Sequence, residues 1–133
     1  MVLPPKLAAI AIGIVLVWSN GDCVPNTNVT TVLCNVGKYT SGDPFAISLA
    51  YVVQELEAVT PTRKGYVYFN ISPYSNAFAY GHAACNPNLT SSDCKTCLAL
   101  AKTAIFGTCQ NRIGARVVLH DCTIRYEQYP LDD

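Results

Sequence analysis

The chain has 133 residues, seven of them cysteines, and nine basic residues balance nine acidic ones to give a formal net charge of zero. Nucleic-acid-binding proteins and cationic peptides that lyse membranes both depend on an excess of positive charge. The composition therefore argues against both classes, and any activity against another cell has to come from specific recognition.

The first 23 residues have the organisation of a secretory signal peptide. Lys6 precedes a short apolar run, residues 7–18 (LAAIAIGIVLVW), and a small polar segment, residues 19–22 (SNGD), follows it. A basic start, an apolar centre and a small polar exit are the three parts of such a signal. The run is too short for a membrane span, which takes about 20 apolar residues. A buried N-terminal helix is the alternative interpretation.

The number of cysteines indicates where the signal is removed. Cleavage after Gly21 or after Cys23 would suit a signal peptidase, because small residues stand at the positions that it reads. The first cut leaves seven cysteines and the second leaves six, which can all pair in an oxidising compartment. We therefore expect a signal peptide over residues 1–23 and one secreted domain over residues 24–133.

The first half of that domain reads as a strand followed by a helix. Residues 28–39 (NVTTVLCNVGKY) are rich in Val and Thr, which favours a strand. Asp43 and Pro44 place a good cap and a first-turn proline at a helix start, and Pro61 ends that helix. One apolar stripe at spacings of four and three runs along it: Phe45, Leu49, Val52, Leu56 and Val59.

The second half predicts four more strands and a second helix. Residues 65–71 and 77–85 are the second and third strands, with Gly81 marking a bulge in the third. Ser91 or Ser92 is predicted to cap a helix that ends near residue 108. The closing pair of strands covers residues 114–120 and 123–128. This order predicts an α+β fold in which both helices lie on one face of an antiparallel sheet.

Six cysteines in an exported domain of this size predict disulfides, although the sequence alone leaves their pairing open. Cys94 and Cys97, two residues apart at a helix start, could instead form a redox dithiol. No thioredoxin-like βαβ pattern surrounds them. A zinc site would need a second closely spaced ligand pair, and His82 and His120 stand apart. We expect no metal and no cofactor.

The pattern Cys85-x8-Cys94-x2-Cys97 resembles the signature of the ginkbilobin-type, or stress-antifungal, cysteine-rich secretory domain. Segments AYGHAAC, IGARV and IRYEQ around it are also similar to that family, and the similarity extends over about residues 26–129. The resemblance implies a five-stranded antiparallel sheet packed against two helices and held by three disulfides. By position, those disulfides would join Cys34 to Cys109, Cys85 to Cys94, and Cys97 to Cys122.

The resemblance also implies a mannose site made by Asn35, Arg116 and Glu127. Arg only donates hydrogen bonds, ionised Glu only accepts them and Asn does both, so the trio suits the adjacent hydroxyls of a hexose. A turn at residues 121–122 would place Arg116 opposite Glu127. Alternatively, the two charges form a surface cross-strand pair worth at most about 1 kcal/mol, and Asn35 is an ordinary loop residue. Tyr39, Tyr126 and Tyr129 are candidates to offer a ring face to the sugar.

The family resemblance implies a plant defence protein of the apoplast, with antifungal activity through mannose-containing glycans of fungal cell walls. A protein-interaction module, such as an apoplastic protease inhibitor or a soluble relative of receptor ectodomains, is the alternative. We do not expect an enzyme, because the sequence has no Gly-x-Ser-x-Gly, His-Glu-x-x-His or phosphate-binding glycine loop. Three sequons could carry N-glycans: Asn28-Val-Thr, Asn70-Ile-Ser and Asn88-Leu-Thr.

Overall fold

A computed structural model of the protein describes residues 24–131, so the predicted signal peptide, including Cys23, lies outside the described residues. Within this range the chain forms five strands and two α-helices, and two short 3-10 turns follow the first helix. The strands are β1 (Val29–Cys34), β2 (Val67–Ile71), β3 (Tyr80–Cys85), β4 (Gly114–Leu119) and β5 (Cys122–Glu127), and the helices are α1 (Pro44–Val59) and α2 (Ser91–Thr108).

The five strands make one sheet in the order β1-β4-β5-β3-β2, and all neighbours are antiparallel. Both helices pack on the same face of this sheet, where the alternate residues of the central strands are buried. The other face is open and carries the charged side chains. The predicted α+β architecture is confirmed. No helix within residues 24–131 combines the length and apolar character that crossing a membrane requires.

Helix α1 begins where the sequence predicts. The Oδ1 atom of Asp43 accepts a hydrogen bond from the backbone N–H of Phe45 at 2.9 Å, and Pro44 occupies the first turn. Such a cap satisfies one of the N–H groups that have no partner within the helix. The predicted apolar stripe is buried against the sheet up to Leu56, and Val59 is half-buried where the helix ends.

Helix α2 begins at the expected place but uses a different cap. The Oγ1 atom of Thr90 accepts from the N–H of Asp93 at 3.1 Å, so the cap lies one residue before Ser91. The Ser91 hydroxyl donates instead to the carbonyl of Pro61 at 2.9 Å. The prediction of a Ser91 or Ser92 cap was therefore wrong, because Ser91 is used to attach α2 to the end of α1.

Three disulfides connect α2, or the residue that directly follows it, to three different strands. They are Cys34–Cys109, Cys85–Cys94 and Cys97–Cys122. These are the pairs that the resemblance implies. Because Cys94 and Cys97 bond to different partners, the redox-dithiol interpretation is wrong for this structure.

The predicted register of the closing hairpin was wrong. In the β4–β5 ladder Arg116 pairs with Arg125, and Gly114 pairs with Glu127. The turn is therefore centred on residues 120–121, one residue earlier than predicted. Asp121 is held in this turn by backbone contacts from elsewhere: its N–H donates to Asn26 at 3.1 Å and its carbonyl accepts from Asn86 at 2.8 Å.

Gly81 does not mark a bulge, because the β3 ladder continues through it without a shift in register. A Cβ atom at this position would overlap Cγ1 of Val52 and lie 2.6 Å from Oδ1 of Asn70. Glycine is therefore required here by the close approach of α1 to the sheet and not by a kink in the strand.

Candidate functional site

Asn35 directly follows β1 and is fixed on three sides. Its N–H donates to the carbonyl of Gly114 at 2.9 Å, and its own carbonyl accepts from Nη1 of Arg112 at 2.9 Å. Its Oδ1 atom accepts from the N–H of Gly37 at 2.8 Å. The side-chain N–H₂ group is thereby directed toward the end of β5. These contacts fix the orientation of the Asn35 side chain, and they suit a loop-shaping residue as well as a donor to a ligand.

Glu127 is the last residue of β5, and it is buried although it carries a charge. Only 8% of the residue is exposed. Its Oε2 atom lies 3.5 Å from Nε of Arg125, two residues earlier on the same face of the strand. Its Oε1 atom is buried and has no hydrogen-bond partner among residues 24–131. A buried carboxylate oxygen without a donor is costly, and this atom lies against the backbone of Gly114.

Tyr129 connects Asn35 to Glu127. The Nδ2 atom of Asn35 donates to the Tyr129 hydroxyl at 3.5 Å. The pKa of that hydroxyl is raised, first by the negative charge of Glu127 and then by a hydrogen bond to it. The hydroxyl thus lies between an amide donor and a carboxylate acceptor, which is the environment that a sugar hydroxyl would also need.

Arg116 lies on the open face of the sheet near these residues but does not contact them. It is exposed, and its guanidinium makes no hydrogen bond or ion pair with the part of the chain that the structure describes. Its neighbours across the ladders are Leu33 and Arg125. Glu127 is a diagonal neighbour, and side chains in that relationship stand roughly 7–8 Å apart. Arg116 and Glu127 therefore do not stand directly opposite each other, and among the described residues Glu127 is paired with Arg125 instead.

Of the three tyrosines considered, only Tyr129 presents a ring at this site. It is 49% exposed, whereas Tyr126 is fully buried and donates its hydroxyl to the carbonyl of Arg112 at 3.1 Å. Burial raises the pKa of the Tyr126 hydroxyl. Tyr39 packs edge-on against Phe45 at a ring-centroid distance of 5.3 Å. These two rings belong to the packing of the core and its edge.

One apolar cavity lies on the helix side of the sheet. This cavity of about 480 Å³ opens between α1 and α2, with Leu49, Val53 and Phe106 in its lining and Lys102 at its rim. Lys102 is paired with Glu57. The polar groups that converge at Asn35 and Glu127 make that end of the sheet the stronger candidate, although it is a shallow surface.

A comparison with protein families matches most of the chain. Residues 33–129 match the family described as salt stress response/antifungal, and this range covers most of the chain and the whole of the candidate site. The chain belongs to the salt stress response/antifungal family.

Members of this family resemble the chain over nearly its full length. It is 39% identical over 127 residues to antifungal protein ginkbilobin-like protein 1 of Picea sitchensis, which covers 94% of this chain and 93% of that protein. It is 40% identical over 105 residues to antifungal protein ginkbilobin-2 of Ginkgo biloba, with 77% and 78% covered.

Solved structures share the fold. The tandem DUF26 ectodomain of the Arabidopsis thaliana cysteine-rich receptor-like protein PDLP8 matches with a TM-score of 0.72 at 22% identity, over 77% of this chain. That of PDLP5 matches with a TM-score of 0.71 at 19% identity. The chain spans about half the length of each tandem ectodomain. At these identities the match shows the fold alone.

Sequence reasoning missed three residues that shape the candidate site. Arg125 could have been found, because residues two apart on a strand share a face and Glu127 is two residues away. Arg112 and Gly114 could not, because their roles depend on contacts with Asn35 and Glu127 that only the register reveals. The described residues hold no cluster of His, Cys, Asp or Glu that could bind a metal ion.

Proposed function

We propose that this protein is a secreted plant defence protein that acts against fungi by binding mannose-containing glycans of their cell walls. Asn35, Arg116 and Glu127 would form the sugar site, with Tyr129 beside them. The observation that carries the proposal is the convergence of the Asn35 amide, the Tyr129 hydroxyl and the Glu127 carboxylate at one end of the sheet.

The polar groups at this end of the sheet complement a hexose. Glu127 accepts from one hydroxyl, and the N–H₂ group of Asn35 donates to the same or the next one. The exposed guanidinium of Arg116 adds charged donors on the open face, and hydrogen bonds to charged groups are the stronger kind. The proposed activity is recognition, without a chemical step.

Such a shallow site should bind one sugar weakly. We expect a Kd near millimolar, which corresponds to about −4 kcal/mol. Useful avidity would come from many mannose units on one surface, because each further contact is then intramolecular. A mannan-rich fungal wall offers such a surface, and the names of the antifungal relatives support a fungal target.

An extracellular location follows from the same proposal. The relatives are antifungal proteins, and the solved neighbours are ectodomains. Three disulfides within one small domain suit the oxidising conditions outside the cell. The predicted signal peptide over residues 1–23 would deliver the protein there, and the apoplast is the compartment that we propose.

Titration of the secreted, disulfide-bonded protein with mannose and with yeast mannan tests the sugar site. Arg116→Ala, Glu127→Ala and Asn35→Ala should each weaken mannan binding at least tenfold, or about 1.4 kcal/mol. Lys95→Ala is the matched control, because Lys95 is an exposed cation on α2. Thermal melts verify that each variant is folded. A wild-type protein that ignores mannose and mannan at millimolar sugar would show that the lectin proposal is wrong.

A protein-interaction module is the second candidate, and one observation favours it. The outer face of edge strand β2 exposes three apolar side chains, Val67, Phe69 and Ile71, to about half of their surface. Phe69 stacks on His82 at 4.2 Å, which keeps its ring on this face. On this reading, mannan binding is absent in the wild type, and Phe69→Ala weakens binding to a protein partner while Arg116→Ala does not.

A further inference from the structure

The three sequons occupy different environments in the folded domain. We infer that Asn28 and Asn88 carry N-linked glycans and that Asn70 does not. The inference rests on secretion, which is part of the proposed function. It adds a pattern of glycosylation to that proposal. An N-glycan is bulky and polar, so it requires an asparagine whose side-chain amide points into solvent.

The sequon at Asn70 is built into the packing between α1 and the sheet. The Nδ2 atom of Asn70 donates to the carbonyl of Val52 on α1 at 3.1 Å, and its Oδ1 atom is buried beside Gly81. The third residue of the sequon, Ser72, is only 1% exposed, and its hydroxyl accepts from the N–H of Ala79 at 3.0 Å. A glycan on this amide nitrogen would separate α1 from β2 and β3. The folded protein therefore carries none there.

The sequon at Asn28 has the opposite character. Asn28 is exposed just before β1, and only its backbone is engaged: its N–H donates to Oδ1 of Asn26 and its carbonyl accepts from His120. Its side-chain amide makes no hydrogen bond within residues 24–131. Thr30, the third residue of the sequon, is also exposed. A glycan at Asn28 would extend into solvent without displacing any contact.

Asn88 lies in the exposed loop between β3 and α2. Its N–H donates to Oδ1 of Asn86 at 3.0 Å, and its side-chain amide bonds to none of the described residues. Thr90 completes the sequon, is exposed and caps α2 through its hydroxyl. The loop is therefore held in shape by its backbone while the amide of Asn88 stays available.

Both glycans would stand at the end of the domain opposite the proposed sugar site. Asn28 and Asn86 are tied to the β4–β5 turn at residues 120–121, whereas Asn35 bonds to Gly114 at the start of β4. Asn28 and Asn35 are separated by the length of β1, about 23 Å at about 3.3 Å per residue. The glycans would thus leave Asn35 and Glu127 accessible.

Intact-mass analysis of the full-length protein, expressed in plant cells and recovered from the extracellular fluid, tests this pattern. Digestion with peptide-N-glycosidase A in ¹⁸O-water converts each glycosylated Asn to a labelled Asp, which peptide mapping then locates. We expect wild type and Asn70→Gln to carry two glycans, Asn28→Gln and Asn88→Gln one each, and the double variant none. The matched control Thr30→Ser preserves the sequon and should keep both.

A glycan on Asn70 of the folded protein would overturn the inference and leave the proposed secretion untouched. The same holds if Asn28 and Asn88 carry no glycan in a secreted chain that begins at Val24. A full-length, unglycosylated chain retained in the cell would overturn the inference together with secretion. Mannan binding, measured after glycan removal so that the protein's own mannose units do not compete, tests the sugar site separately. Asn28→Gln and Asn88→Gln should change that binding less than twofold.

Discussion

The carboxylate of Glu127 occupies the place beside the Cα of Gly114 that a side chain would fill. The two residues face each other across β4 and β5. A Cβ on Gly114 would overlap Oε1 of Glu127 and lie 2.5 Å from its Cδ. The absence of a side chain at Gly114 therefore sets the position of the acceptor in the candidate site.

Gly114→Ala should weaken mannan binding at least tenfold, or about 1.4 kcal/mol, because the Glu127 carboxylate must move. Overpacking of this kind costs about 1–3 kcal/mol of folding stability, so the variant should remain folded but melt earlier. Titration and thermal melts measure the two effects. Gly107→Ala is the control: nothing lies within 4 Å of the added methyl group, and binding should stay unchanged. If Gly114→Ala binds mannan as the wild type does, the position of the Glu127 carboxylate does not matter for sugar binding.

Two substitutions at Tyr129 should have different effects on the affinity for mannose. Tyr129→Phe removes the hydroxyl that engages Asn35 and Glu127 and leaves both groups open to the sugar, so mannose should bind at least as tightly as in the wild type. Tyr129→Ala also removes the ring face, and we expect at least threefold weaker binding. Calorimetric titration with mannose compares them. Equal loss in both variants would instead make the hydroxyl itself part of the sugar site.

Asp121 should make stability depend on acid pH. Its pKa lies below the ordinary value of 3.8, chiefly because the backbone N–H of Asn26 donates to it, with smaller contributions from Asn86 and His120. A depressed pKa means that the ionised carboxylate stabilises the fold above about pH 4, and that this contribution disappears as the pH falls through the folded-state pKa.

Asp121→Asn should therefore lower the free energy of unfolding near pH 7 by about 1–3 kcal/mol, the cost of weakening hydrogen bonds to a buried acceptor. The difference from the wild type should shrink in acid, as the pH falls through the lowered pKa of the native carboxyl and that group is protonated too. Denaturant unfolding near pH 7 and in acid measures it. A difference that stays constant with pH would contradict a role for the charge.

The disulfides should rank by the length of chain that they close. Cys34–Cys109 spans 75 residues, Cys97–Cys122 spans 25 and Cys85–Cys94 spans 9. The chain-entropy treatment gives about 4.5, 3.5 and 2.7 kcal/mol in that order. Paired Cys→Ala variants, unfolded in denaturant, should follow this order. A Cys85/Cys94 variant that is less stable than a Cys34/Cys109 variant would reverse it.

Local signals in the sequence were sufficient to find the helices and strands but not all of their ends: β1 was predicted to reach residue 39 and ends at Cys34, and β3 was predicted from residue 77 and begins at Tyr80. Asp43 and Pro44 set the start of α1 because capping depends on neighbouring residues. The hairpin register was not predictable in this way. It is fixed by Asp121, whose side chain accepts from the N–H of Asn26, 95 residues away along the chain, at 2.7 Å. No short window of sequence contains that contact.

The site residues were suggested by family resemblance, but their arrangement was not. Side chains alternate between the faces of a strand, so the one-residue shift of the turn kept Arg116 and Glu127 on the same face and moved them out of direct opposition. The functions of Gly114 and Tyr129 follow only once that shift is known.

The attachment of Asn26 to Asp121 has a practical consequence for immobilising the protein. The N–H of Asn26 donates to the Asp121 carboxylate, and the N–H of Asp121 donates to the Asn26 carbonyl, so the chain near residue 24 is held against the β4–β5 turn. Tyr129 lies at the other end of the sheet. A biotin or affinity handle inserted just ahead of residue 24 would orient every molecule on a sensor chip with Asn35 and Glu127 outward. A handle after residue 131 would crowd those residues against the chip surface.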